Sequence, residues 1–401
     1  MTAGSEPAVA SGQSGPGDVA CAAALVGLPG MTPVRLARLL HGRRPAAAWE
    51  ALLSGADPAA CDPRWTAMAA ATDAAEVAAR YHTAGVEVIV EGDDRYPERL
   101  RADPGAPAVL LCRGDIAAAG VAPSVAVVGT RSATPYGEQV AAELGRDLAA
   151  AGVSVVSGLA LGIDAAAHAG ALAAGPGASP PVGVAATGLD VPYPRANARL
   201  WDGVARAGAV LSEAPLGSPP RRGAFPARNR IIAALSDVVV VVECHLGGGA
   251  LHTAEAAARR GIPVVAVPGS VRSPASRGTN GLLVDGCAPV RDVHDVLVAV
   301  SLARAGRDAP APALRARTFV AATGRDVAGA LRAAGGSGDE RCPVDDAAAR
   351  AVWSALGPDP LTSAALAERT GLAIGDLARA CRRLLGAGAV IEGPGWWRRR
   401  W

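Results

Sequence analysis

Between Gly85 and about Val300, short β-branched runs alternate with stretches of helical spacing. The runs are Val86–Val90, Val125–Val128, Val153–Val156, Val182–Ala185, Val238–Val242 and Val264–Val267. Helical text such as Gly137–Ala151 and Ala196–Ala207 falls between the last five. Continuous apolar strands separated by helices predict a Rossmann-like α/β core, a doubly wound parallel sheet covered on both faces. Ligands on such sheets sit beyond the carboxyl ends of the strands, so the loops there are the first place to look for function.

The flanks have a different rhythm. Val19 to about His82 is Ala/Leu-rich with helical spacing and breaks at Gly30, Gly42 and Pro58. Within it, Leu28-Pro-Gly30 forms a tight turn, Thr32 suits a cap and Pro33 a first helical position. That arrangement fits either a helix-hairpin-helix (or SAM-like) module or a plain helical packing layer. After a weakly patterned Ala/Arg/Gly/Pro stretch, Ala347–Leu356, Thr362–Thr370 and Ile374–Ala387 read as three helices. Val390–Arg398 then reads as a hairpin, so the end of the chain resembles a winged helix. The expected organisation is a tail (1–17), a helical domain (18–82), the core (83–302), a linker (303–345) and a winged-helix domain (346–401).

Composition narrows the chemistry. A chain of 401 residues is too long for one ordinary core. No apolar run reaches the ~20 residues of a membrane span, and Met1–Gly17 lacks a basic start followed by an apolar stretch, which points to the cytoplasm. The 7 cysteines are scattered without a C-x-x-C pair, so neither a metal site nor a disulfide framework is expected. A net charge of +2 conceals that all 39 basic residues are arginine. With no lysine, a Walker A loop and Schiff-base chemistry are excluded. Phosphate contacts must come from Arg, backbone N–H groups or helix N-termini.

Several loops carry candidate chemistry. Gly129-Thr-Arg131-Ser132 ends a buried strand: Gly129 permits a sharp turn and close approach, and Arg131 with the neighbouring hydroxyls makes an anion pocket. In Ser157-Gly158-Leu-Ala-Leu-Gly-Ile-Asp164-Ala-Ala-Ala-His168, Asp164 and His168 share a helix face. They brace the loop or form a dyad, and bracing is the preferred reading. Asp190 and Tyr193 anchor a proline-rich loop. Arg221, Arg222, Phe225, Arg228, Asn229 and Arg230 form the densest basic-plus-aromatic stretch. The arginines there suit phosphates, and Phe225 suits either a stacked base or a core plug. Gly247-Gly248-Gly249, between a strand and a helix, is a phosphate-friendly turn without dinucleotide spacing.

Together these motifs resemble the DprA/Smf family of DNA-processing proteins. The resemblance is carried by Gly129-Thr-Arg-Ser with Tyr136-Gly137, Ser157-Gly-Leu-Ala with Gly162-Ile-Asp164 and Ala167-His168, and Gly188-Leu-Asp with Tyr193-Pro194. Ser212-Glu213, Phe225-Pro-Ala-Arg-Asn-Arg-Ile-Ile232, Val267-Pro-Gly-Ser270 and Gly278-Thr-Asn280 complete it, in the family's order from about Arg95 to Asp292. The resemblance implies single-stranded DNA binding, a homodimer, loading of the RecA recombinase during DNA uptake or recombination, no cofactor and no catalytic turnover. By motif it makes Arg131, Arg228 and Arg230 phosphate contacts and Phe225 the stacking residue. The chain departs from the family pattern at Leu161, where Arg is frequent, at Gly248-Gly249 and at His252.

A rival reading is an enzyme. Phosphoribohydrolases of nucleoside monophosphates share the Rossmann-like superfamily, and Gly247–Glu255 loosely echoes their Pro-Gly-Gly-x-Gly-Thr loop, but without the Pro. In the tail Gly395-Trp-Trp-Arg-Arg-Arg-Trp401, strand alternation puts Trp396 opposite Trp397. One inward Trp with a basic edge, a DNA-binding wing and a protein-interaction module all fit.

Overall fold

The computed structural model describes residues 15–56, 62, 64–308, 346–356, 361–387, 389–393 and 396–399. Most of the expected tail, the expected linker beyond Asp308 and the Pro394-Gly395 turn lie outside the described residues. The chain divides into two compact units, Met1–Phe319 and Val320–Trp401.

The first unit opens with helices α1 (Pro16–Val26), α2 (Pro33–Leu40), α3 (Pro45–Leu53), α4 (Arg64–Ala70) and α5 (Ala74–Thr83). Thr32 caps α2 by accepting the Arg35 N–H at 3.3 Å, with Pro33 at the first helical position. Asp18 is buried, pairs with Arg44 and accepts the Ala46 N–H at 3.1 Å, which ties α1 to α3. Leu25, Trp49, Leu52 and Trp65 share one apolar core with Val88 and Leu111 of the sheet and with Trp201 of the helix Ala198–Ala207. Burial against the sheet, more than helix propensity, holds these short helices.

The core follows as β1 (Glu87–Val90), α6 (Glu98–Arg101), β2 (Val109–Gly114), β3 (Ser124–Val128), α7 (Pro135–Ala150), β4 (Ser154–Ser157) and α8 (Ile163–Ala173). It continues with β5 (Val182–Val184), α9 (Ala198–Ala207), β6 (Ala209–Ser212), α10 (Ala224–Ala234), β7 (Val238–Val241), α11 (Gly249–Ala258), β8 (Val264–Ala266), α12 (Arg277–Val284), β9 (Ala288–Pro289) and α13 (Val293–Asp308). The strands form one 9-stranded sheet in the order β1-β2-β6-β5-β4-β3-β7-β8-β9. From β6 to β9 they run parallel, while β1 and β2 pair antiparallel at one edge. The sheet is therefore mixed and mostly parallel. Periodicity marked neither β2 nor β6, because one is an antiparallel edge partner and the other a four-residue strand directly behind α9.

Strands β3 and β7 are buried along their whole length, as a sheet covered on both faces requires. The chain winds from β3 through β4 and β5 to β6, then returns to β7 on the other side of β3. The order reverses between β3 and β7, so the crevice at their carboxyl ends is the switch point where ligands bind on such sheets. The returning helix α10 crosses the ends of β5 and β4 on its way back.

Two glycines fix the helices that flank this crevice. A Cβ on Gly145 of α7 would lie 2.1 Å from the Ala167 carbonyl oxygen of α8, and one on Gly170 of α8 would lie 2.0 Å from the Ala142 carbonyl oxygen of α7. The helices approach backbone to backbone, which only glycine permits here.

The second unit, described by itself, comprises α14 (Ala347–Ala355), β10 (Leu361–Thr362), α15 (Ser363–Thr370), α16 (Ile374–Gly386), β11 (Val390–Gly393) and β12 (Trp396–Arg399). Its sheet order is β10-β12-β11. Trp397 is buried with Val352, Leu366, Leu377 and Leu384, so it is an inward tryptophan of the hairpin. Arg399 on the same strand face lies 4.2 Å above the Trp353 ring and donates to the Trp353 carbonyl.

Candidate nucleic-acid interface

The floor of the crevice is stitched by backbone and buried side chains. At the end of β7, the buried Glu243 carboxylate accepts the Thr134 N–H at 2.9 Å and the Thr134 hydroxyl at 2.7 Å. The Glu243 carbonyl accepts the Thr130 N–H at 2.8 Å. A Cβ on Gly129 would lie 2.4 Å from Ile163 Cγ1 and 2.8 Å from the Glu243 carbonyl. Gly129 thus serves close packing of the two loops. Glu243 went unassigned in the sequence; its only signal was an acid at the end of a buried valine run.

Arg228 departs most from expectation. It lies in α10, three and four residues before the buried Ile231 and Ile232, and is itself only 6% exposed. Its guanidinium donates to the Gly158 carbonyl at 2.8 Å and to the Val184 carbonyl, and its Nε donates to Asn229 Oδ1 at 3.2 Å. Burial lowers its pKa to about 10, against the opposing pull of Asp164, so it stays charged at neutral pH. The phosphate contact expected of Arg228 is therefore replaced by a pin holding α10 to the ends of β4 and β5. Gly158 makes room for it: a Cβ there would lie 2.6 Å from Arg228 Nη2 and 2.7 Å from Asp164 Oδ2.

Asp164 and His168 do not form a dyad. Asp164 accepts the Gly158 N–H at 3.1 Å and faces Arg228; burial pushes its carboxyl pKa up, while Arg228 and backbone N–H groups pull it back. His168 is buried below the loop, and burial lowers its pKa to about 4, so it is neutral. Ser157 is likewise buried and donates to the Val127 carbonyl at 2.6 Å, a strand-to-strand tie that removes it from direct ligand contact.

Two further expected contacts are engaged elsewhere. Arg230 forms a two-pronged ion pair with Glu213 at 2.8 and 2.6 Å. Asn229 donates to the Gly249 carbonyl at 3.3 Å and accepts from Arg228. A Cβ on Gly248 would lie 2.7 Å from Cys244 Sγ, whereas Gly249 faces open space. Asp190 accepts the Gly217 N–H at 2.8 and 2.9 Å.

What remains open at the strand ends is compact. Arg131 is exposed, and its guanidinium lies 4.6 Å above the half-buried Phe225 ring. Among the described residues it meets no hydrogen-bond or ion-pair partner, and neither do the exposed side chains of Arg221 and Arg222 just before α10. Ser132 is exposed beside Arg131. Tyr193, expected as a brace, is instead 40% exposed with its ring 5.7 Å from that of Phe225. The crossover of α10 thus brings Phe225 from the β6 side to Arg131 at the end of β3. A cavity of about 480 Å³, lined by Thr134, Tyr136, Glu243, Ser270, Ser273 and Ser276, has no basic residue on its wall and includes neither Arg131 nor Phe225.

These features define a mostly parallel Rossmann-like core with arginine and aromatic side chains clustered at its switch point, together with a winged-helix unit. The family model described as DNA recombination-mediator protein A matches residues 87–301, and the DprA winged helix domain matches residues 340–395. The chain belongs to this DprA/Smf family. It is 37% identical to the DNA processing protein DprA of Bacillus subtilis over 220 residues, 55% of this chain and 73% of that one. It is 32% identical to Protein Smf of Synechocystis over 318 residues, 77% of this chain and 79% of that one. The X-ray structure of DprA from Streptococcus pneumoniae matches with a TM-score of 0.60 at 33% identity, covering 70% of this chain and 97% of that chain.

Proposed function

We propose that this protein binds single-stranded DNA in the strand-end trough and delivers it to the RecA recombinase, as a cytoplasmic homodimer without catalytic turnover. The observation that carries the reading is Arg131, exposed and unpaired, seated on the Phe225 ring at the switch point. An unpaired guanidinium takes a phosphate through a fork of N–H donors, and an adjacent ring takes a base whatever its sequence. Arg221, Arg222 and Ser132 extend the polar rim, and Arg228, Asp164, Asn229 and Ser157 hold its floor. Membership of a recombination-mediator family supports the same direction. Among the described residues no helix is long and apolar enough to cross a membrane.

A titration with single- and double-stranded oligonucleotides of one sequence tests this. Single strands should bind more tightly, with affinity falling steeply as salt rises. Adding RecA to the preformed complex should speed filament formation on the strand. Equal affinity for duplex, or no binding at low salt, refutes the proposal.

A further inference from the structure

The trough has an aromatic edge to which nothing above gives a task. The molecule has 4 tyrosines, and three of them hold their hydroxyls in hydrogen bonds. Tyr96 donates to the Pro107 carbonyl at 2.7 Å, Tyr136 donates to the Pro268 carbonyl at 3.2 Å, and Tyr81 accepts the Leu216 N–H at 3.4 Å. Tyr193 has no such partner among the described residues and is 40% exposed. Its ring lies tilted at 48° to that of Phe225. With the Arg131 guanidinium covering Phe225, Tyr193 offers the more open aromatic face.

The loop that carries Tyr193 is anchored by other residues. The Thr187 hydroxyl donates to the Val191 carbonyl at 2.8 Å, and the Ser212 hydroxyl donates to the Thr187 carbonyl at 2.8 Å. At the far end, Asn197 Nδ2 donates to the Leu159 and Ala160 carbonyls at 3.0 Å each. The acid of this loop, Asp190, is engaged by the Gly217 amide. Between the anchors stand the exposed Tyr193 and Arg195, the latter without an ion-pair or hydrogen-bond partner among the described residues. An aromatic ring that neither packs inward nor bonds its hydroxyl, held on a fixed loop two residues from an unpaired arginine, is the arrangement that single-strand binding uses repeatedly.

We propose that Tyr193 and Arg195 form a second nucleotide subsite, in which Tyr193 stacks the base adjacent to the one at Phe225 and Arg195 holds a neighbouring phosphate. The inference rests on the single-strand reading above. Phe225 and Tyr193 then act as successive platforms along one strand, and Arg131 and Arg195 mark the backbone on either side of them.

The test pairs a side-chain deletion with a base deletion, using the full-length protein. Tyr193→Ala should weaken binding of an oligothymidylate by about five- to a hundredfold, and Tyr193→Phe should restore it. On a strand of the same length built of abasic sugars, wild type and Tyr193→Ala should bind alike, a result that a merely structural role would not give. Arg195→Ala should lower the magnitude of the salt slope by about 0.7. Equal loss on both strands, failure of Tyr193→Phe to restore binding, or wild-type affinity in Tyr193→Ala while Phe225→Ala is impaired would each overturn the subsite and leave the trough standing. If Arg131→Ala, Phe225→Ala and Tyr193→Ala all bind like wild type, the trough itself falls.

Discussion

Replacing Arg228 by Met should unfold the core more readily and should not act as a simple loss of DNA contact. The substitution keeps a long apolar stem but removes the donors to the Gly158 and Val184 carbonyls. It also leaves Asp164, buried at 7% exposure, facing no cation. Leaving a buried carboxylate without its nearby cation, and two buried carbonyls without their charged donor, costs about 3–5 kcal/mol. For a unit of this size, each kcal/mol lowers the Tm by about 2–4 °C, so a fall of roughly 6–20 °C is expected by thermal unfolding. Adding Asp164→Asn should recover part of that loss, since the stranded carboxylate is then neutral, and the coupling between the two sites should reach about 1 kcal/mol or more. Binding titrations on the same samples, well below the transition, separate the roles. An Arg228→Met protein with an unchanged Tm and abolished affinity would make the side chain a direct contact and refute its assignment as a pin.

Arg131→Ala should behave in the opposite way, with a Tm within about 1 °C of wild type, an affinity for single strands down about ten- to a hundredfold and a shallower salt dependence by about 0.7. Gly145→Ala should destabilise the core by about 2 kcal/mol or more in denaturant titrations, because its methyl would overlap the Ala167 carbonyl oxygen at 2.1 Å. His168 has a folded pKa lowered from 6.5 to about 4, so its contribution is complete above pH 6.5 and is lost as pH falls towards 4. The span corresponds to about 3 kcal/mol, opposed over its acid part by Asp164, whose raised pKa favours the folded state on protonation. A His168→Asn protein should therefore lose less stability than wild type between pH 7 and 4.5, and parallel profiles would show that His168 does not titrate in this window.

The sheet was legible where residues are buried on both faces, because a strand such as Val238–Val241 admits no polar alternation. It was illegible where pairing, not composition, decides: β2 joins the sheet antiparallel to β6, a neighbour distant in sequence, and carries β1 to the edge. The exposed arginine at the switch point was legible, since Gly-Thr-Arg-Ser after a buried strand places an arginine at a carboxyl end. Which arginines stay free was less so. Arg228 and Arg230 look alike in the string Arg-Asn-Arg, yet helical geometry sets Arg228 on the face of Ile231 and Ile232, while Arg230 finds Glu213 from the end of β6. The first contrast could have been read from i, i+3 and i, i+4 spacing; the second needed the strand order. The meeting of Tyr193 with Phe225 depends on α10 crossing back over the strand ends, which no local pattern encodes.

The glycine contacts between α7 and α8 bear on how the protein would meet the single strand proposed for it. Each helix begins just beyond one of the loops at the ends of β3 and β4, so interlocked backbones make those loops corners of one stiff plate. Such close packing resists hinging between the two loops. Adjustment on capture falls to rotamers at the rim, Arg131 foremost, so the ordering entropy is confined to a few side chains, and association should proceed without waiting for a slow backbone rearrangement.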